Sequence, residues 1–190
     1  MSNRLGLKAP ADAAIRMLAR IDTHHFEGHL LRLTNHCRRL RFGGEITDRF
    51  LQDYARNVDF TNTVVLGAFV NGVMVAAAEL RSFQTNWCEK AEAAFSVEVA
   101  NRACGVGTKL MHGLLAAARK LEVSEIYLTL HPANHAMRRI VEAVQGGLRC
   151  EGQDLEGRVM VRKEPLLTLS SGSETELEMV SMEILPDQLG

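Results

Sequence analysis

Residues 95–111, FSVEVANRACGVGTKLM, change character half-way and so restrict the fold more than any other stretch of the chain. Up to Val99 apolar and polar residues alternate, as on a half-buried strand. Arg102, Gly105, Gly107 and Thr108 follow, and then an apolar run at helical spacing, with Leu110, Met111, Leu114, Leu115, Ala118 and Leu121 on one face. A strand that passes through a glycine loop into a helix needs a crossover back to the sheet, so the next strand, SEIYLTL, lies parallel to the first. Upstream, TVVLGAFVNGVMVAAAEL reads as a hairpin turning at Asn71-Gly72, with residues 91–99 as a third, antiparallel strand. The sheet is therefore mixed.

The remaining segments extend this pattern. Residues 1–13 read as a flexible leader, and 15–19 as a short strand. DTHHFEGHLLRLTNHCRRLRF is a polar helical stretch broken by Gly43-Gly44, and EITDRFLQDYARN is a second helix with Thr47 as its cap. PANHAMRRIVEAVQ forms a helix stopped by Gly146-Gly147, and LRCEG and GRVMVRK close the sheet as a strand pair. The expectation is an α/β domain over 14–164, a mixed and mostly antiparallel sheet of about seven strands flanked by about four helices. Residues 165–190 form an acidic tail, in which Leu177, Val180, Ile184 and Leu185 offer one apolar helical face.

Bulk composition removes several function classes. A formal net charge of -1 with 5% aromatic residues provides neither the basic surface nor the stacking platforms of a nucleic-acid binder. No apolar run is long enough to cross a bilayer, which speaks against a membrane partner. Cys37, Cys88, Cys104 and Cys150 lie far apart with no Cys-x-x-Cys pair and no apolar leader before them, so reduced thiols in a cytoplasmic protein are expected. His25 and His29 lie one turn apart with no third ligand in view, and no metal is expected. His112, His131 and His135 are isolated.

The glycine loop is an anion site by its chemistry. Amides at a helix start are unpaired and share the positive end of the helix dipole, and glycine at 105 and 107 clears the approach path. A Walker loop requires Gly-Lys-Ser/Thr, whereas Gly107 is followed by Thr108-Lys109 in the opposite order. A dinucleotide fingerprint requires a third glycine that GVGTKL lacks. RACGVG, Arg102 to Gly107, instead fits Arg/Gln-x-x-Gly-x-Gly/Ala, the pyrophosphate loop of acyl-CoA N-acetyltransferases. Residues 62–163 closely resemble the central run of the Gcn5-related N-acetyltransferase (GNAT) family. The block HLLRLTNHCRRLRF also resembles a segment of some bacterial members, among them protein-lysine acetyltransferases.

This resemblance implies acetyl-CoA as cofactor and direct transfer of its acetyl group to a primary amine, on a small molecule, a protein lysine or an N-terminus. The amides of Arg102, Ala103, Cys104, Gly105, Val106, Gly107 and Thr108 would hold the pyrophosphate. The backbone of Val97, Glu98 and Val99 would lie along the pantetheine arm. A kink in that strand would aim the Val97 N–H at the thioester oxygen, and the Asn134 side chain would contact the cofactor. Glu92, with Glu98 behind it, is the candidate base. Many members carry a tyrosine acid at the position occupied here by Val141, and Tyr127, inside a strand, is a sheet residue. That departure keeps open a CoA-binding sensor or interaction module without transfer activity. Dimers are common in the family, so a homodimer is compatible with the resemblance. Cys104 reads either as a nucleophile at a helix start or as a small residue in a tight loop. Asp48, Asp53 and residues 84–87 are candidates for the acceptor cleft.

Overall fold

The computed structural model describes residues 13–162, so the acidic tail and all of the leader before Ala13 lie outside the described residues. Strand β1 (Ala14–Met17) is followed by helices α1 (Thr23–Leu31), α2 (Asn35–Phe42) and α3 (Asp48–Arg56). The meander comprises β2 (Thr63–Val70), β3 (Val73–Ser82) and β4 (Lys90–Val97). Helix α4 (Val106–Lys120), strand β5 (Glu125–Leu130), helix α5 (His135–Ala143) and the pair β6 (Gly147–Glu151) and β7 (Asp154–Met160) complete the domain.

The seven strands form one sheet in the order β1-β2-β3-β4-β5-β7-β6. Only the β4–β5 junction is parallel, as the crossover through α4 demands. Asn71 (φ 51°) and Gly72 (φ 77°) both take the left-handed conformation that a two-residue hairpin turn requires. Side-chain alternation divides the interior into two cores. Leu66, Ala78, Leu80, Leu110, Leu114 and Ile126 pack on the α4 side, and Phe26, Leu30, Leu51, Val65, Met74 and Ala77 on the α1–α3 side. Glycine brings α4 close to the sheet, since a Cβ on Gly113 would stand 2.7 Å from Leu66 Cδ1.

The polar helical stretch is two helices, which raises the helix count among the described residues to five. Thr34, extended at ψ 158°, restarts the chain, and its hydroxyl accepts the Cys37 N–H at 3.3 Å. Arg38 then donates to the carbonyls freed at the break, from Nε to Leu33 at 3.0 Å and from Nη2 to Leu31 at 2.9 Å. That arginine is buried, not part of a solvated face. Thr47 caps α3 as expected, accepting the Phe50 N–H. β1 ends at Met17, two residues before the expected limit, because the Asp22 carboxylate draws the Ala19 N–H into a turn. β4 likewise ends at Val97, and Val99 opens a 3-10 turn that delivers the chain to the glycine loop.

Candidate functional site

β4 and β5 pair only from Lys90 to Glu92, opposite Glu125 to Tyr127. Beyond that point β4 stays bonded to β3 as far as Val97, while β5 stays bonded to β7 as far as Leu130. The two halves of the sheet therefore part, and two cavities occupy the gap. One, of about 410 Å³, is floored by Phe95, Ser96 and Val97 and walled by the glycine loop, α2 and α5. The other, of about 540 Å³, lies toward α3, β5 and β7. Leu40, Arg41, Phe95, Asn134 and Met137 line both, so the cavities adjoin across the gap.

The loop side fits an anion. Gly105 (φ +81°) is the N-cap of α4, and nothing lies within 4 Å of where its Cβ would be. Ala103 also has positive φ, at 59°, so successive amides curl into a concave nest. The first intrahelical bond is Lys109 N–H to Gly105 O, which leaves the Val106, Gly107 and Thr108 amides as helix-start donors facing the cavity. The Arg102 amide, in contrast, donates to Val99 O at 3.3 Å. Its side chain fastens the loop, with Nε on Val97 O at 3.2 Å and Nη2 on Cys37 Sγ at 3.0 Å. Gly107 permits α5 to approach, because a Cβ there would stand 2.7 Å from Ile140 Cδ1. Cys104 is buried and its thiol donates to Asn101 O, a turn-closing role that leaves no nucleophile facing the cavity at that position.

Along β4 the amides alternate. Glu98 N–H donates to Val75 O at 3.1 Å, so Glu98 forms a bonded pair with β3 and its amide is not open to a ligand. The Val97–Ala76 pair is then the non-bonded kind, and the Val97 N–H points off the other edge of β4, into the gap. The β3–β4 register runs unbroken from Ala76–Val97 to Ser82–Ala91, so no bulge is needed to turn this amide. Val99 is exposed in the 3-10 turn and lies outside the cavity lining. The Glu98 carboxylate faces α1, where His29 Nδ1 at 3.1 Å and Arg32 Nε at 3.0 Å meet it. Burial works to raise its pKa, but these partners outweigh that and hold it below the ordinary carboxylate value.

The second cavity is charged. Glu92 lines it, beside Arg81 across the strand pair, with no ion pair of its own among the described residues. Glu79, which is 2% exposed, accepts from Arg41 at 2.6 Å and from the Tyr54 hydroxyl at 2.7 Å. Arg81 donates to the same hydroxyl at 2.9 Å. Burial and the Glu79 charge push the Tyr54 pKa up to about 12, so it remains a neutral phenol. Burial opposes the Arg41 charge, yet Glu79 and Tyr54 outweigh that effect and hold it fixed. Sequence reasoning passed over this cluster. The available signal was Glu79 itself, one acid inside the apolar run VMVAAAEL, which demands a buried partner.

Asp48 pairs with Arg38 and Asp53 with Arg49; neither they nor residues 84–87 line the second cavity. Asn134 lines both cavities, but its Oδ1 caps α5 by accepting the Met137 N–H at 3.2 Å. Val141 is fully buried, packed toward Gly146 and Gly157, so position 141 belongs to the core between α5 and β7. His25 packs edge-on to Phe69 while His29 turns to β4, and no cluster of three metal-ligating side chains exists among the described residues. All four cysteines are free thiols. No described helix is long and apolar enough to cross a membrane.

The domain that holds this glycine loop beside a parted β4–β5 pair is of a known kind. A family model described as the acetyltransferase (GNAT) family covers residues 29–146. The chain belongs to that family. Among curated proteins, none matches it in sequence. Solved GNAT structures share the fold. The GNAT domain of S. lividans PAT superposes with a TM-score of 0.66 at 18% identity, covering 78% of this chain and 90% of that one. YncA from Salmonella typhimurium, solved with its cofactor acetyl-CoA, gives 0.62 at 14% identity over 81% and 96% of the two chains. A cAMP-binding acyltransferase from Mycobacterium smegmatis gives 0.54 at 24% identity over 78% of this chain, which spans only 44% of that protein. At these identities the likeness is one of GNAT fold.

Proposed function

We propose that this GNAT protein transfers the acetyl group of acetyl-CoA to a primary amine, both substrates meeting in the gap between β4 and β5. The observation that carries this reading is the adjoining pair of cavities, one walled by the anion cradle and the other by Glu92, with Phe95 and Asn134 common to both. Amides of the loop from Ala103 to Thr108 hold the pyrophosphate, where Gly105 leaves room for it. The Val97 N–H donates to the thioester oxygen as charge builds there, which a preorganised amide stabilises without reorganising. Glu92 accepts the ammonium proton, directly or through one water, and frees the nitrogen lone pair. Because both substrates occupy one site, no covalent enzyme intermediate is needed.

The burial of Val141 favours a second reading, a CoA-binding module without transfer, since that position provides no proton for the departing sulfur. Thiol release across a panel of amines, amino acids, polyamines and lysine peptides separates the two. Turnover on one acceptor, lowered about a hundredfold or more in Glu92→Gln, is the expected result. Equal turnover in Glu92→Gln would remove Glu92 from its role, and no turnover on any acceptor would leave the binding module.

A further inference from the structure

The direct-transfer mechanism leaves one reactive cluster unused. Ser96 lies immediately before Val97, is 7% exposed, and lines the loop-side cavity. Its Oγ is 2.8 Å from Nε2 of His29, a ring with no exposed surface, whose Nδ1 is 3.1 Å from Glu98 Oε1. Arg32 Nε donates to the same carboxylate oxygen at 3.0 Å and its Nη2 bonds Met74 O, which fixes the acid from outside. An ionised carboxylate only accepts, so the neutral ring carries its proton on Nδ1 and presents a bare Nε2 to the serine hydroxyl. That order of serine, imidazole and carboxylate is the arrangement that turns a hydroxyl into a nucleophile. The next amide, Val97 N–H, points into the gap, and the amide after a nucleophile is where acyl-transfer sites place an oxyanion donor.

We propose that Ser96, His29 and Glu98 form a second catalytic set that hydrolyses the acyl-CoA thioester when no amine is seated. This rests on the reading that the loop-side cavity takes acetyl-CoA. Ser96 Oγ bonds to the thioester carbon as its proton passes to His29 Nε2. The carbon–sulfur bond breaks, and the thiolate takes that proton, leaving an acetyl ester on Ser96 and a free thiol. A water then adds to the ester, giving its proton to His29 Nε2. The ester bond to Ser96 breaks, Ser96 recovers its proton, and acetate leaves with the remaining proton. One thioester and one water become one acetate, one thiol and one proton. Glu98 is a positioning residue that sets the imidazole tautomer.

The test follows thiol and acetate release from acetyl-CoA by the full chain without amine, alongside amine transfer and the melting shift that acetyl-CoA produces. Wild-type protein releases acetate in step with thiol, and acid quenching traps an acetyl group on the peptide containing Ser96. Ser96→Ala brings release to the non-enzymatic background, and His29→Gln lowers it about a hundredfold. Glu98→Gln preserves size and keeps a carbonyl oxygen to accept from Arg32 Nε and His29 Nδ1, but removes the negative charge that stabilises the imidazolium formed when His29 Nε2 takes the serine proton. A merely structural carboxylate would tolerate that change, whereas the proposal requires a loss of at least about a hundredfold. The trapped acetyl-serine is read in the wild type, so it stands even if a variant fails to fold. Amine transfer without any amine-independent hydrolysis overturns this proposal and leaves the transferase reading standing. Absence of a melting shift with acetyl-CoA overturns both.

Discussion

Gly105 offers the sharpest separation of backbone geometry from ligand electrostatics. At φ +81° with open space around its missing Cβ, replacement by alanine meets no atom and costs only the left-handed conformation. That is about 1–2 kcal/mol, or roughly 2–8 °C in melting temperature for a domain of this size. Aspartate tolerates the left-handed region somewhat better, so Gly105→Asp melts no lower than Gly105→Ala by this mechanism. The difference lies in the ligand. Two unit charges about 4 Å apart repel by about 4 kcal/mol at an effective dielectric of about 20, which is nearly three orders of magnitude in Kd. Acetyl-CoA at about 100 times its Kd stabilises wild-type protein by about 2.7 kcal/mol, a rise of roughly 5–10 °C. At the same concentration the aspartate variant shows no measurable rise, whereas the alanine variant still responds. Differential scanning fluorimetry with and without acetyl-CoA reads all three proteins. Equal ligand-induced shifts in the alanine and aspartate variants would refute the cradle at Gly105.

Two further outcomes test the structure away from that loop. Glu79→Gln leaves buried Arg41 without its counter-charge, and breaking such a pair costs about 3 kcal/mol, so the melting temperature falls by roughly 6–12 °C; a fall under about 2 °C would show that the cluster does not hold α2 and α3 to β3. Asp22 accepts from both terminal nitrogens of Arg16, and that pairing lowers its pKa to about 2. Its folded pKa is below the unfolded value, so its contribution is present above about pH 4 and is lost as pH falls toward about 2. Solvent screening of the rim-exposed Arg16 keeps that contribution near ~1 kcal/mol. Wild type therefore melts above Asp22→Asn at pH 6, the gap closing by about pH 2; a gap independent of pH would contradict the pairing.

Much of the architecture was legible because it depends on neighbours along the chain. Asn71-Gly72 dictates a hairpin whatever surrounds it, since few residue pairs accept two positive φ angles. Thr47 caps α3 with a hydroxyl three residues from the amide it accepts. The glycine loop is legible for the same reason, because one helix start and two glycines carry their own stereochemistry. Where the reading missed, the cause was competition among local signals. The break at Thr34 was hidden inside an unbroken polar helical pattern, and Arg38 satisfies the freed carbonyls only once the chain has turned.

What no local rule could supply is contact between residues far apart in the chain. Arg41, Tyr54, Glu79 and Arg81 meet only because α2, α3 and β3 pack together, and the same assembly brings His29 against Ser96 and Glu98. The gap itself arises from sheet topology. β4 is held by β3 and β5 by β7, so their shared ladder stops at Glu92 and Tyr127, and the Val97 amide is left facing open space. Residue order thus establishes a glycine loop entering a helix. Its conversion into a two-sided site depends on pairing energies distributed over four strands, which no single segment encodes.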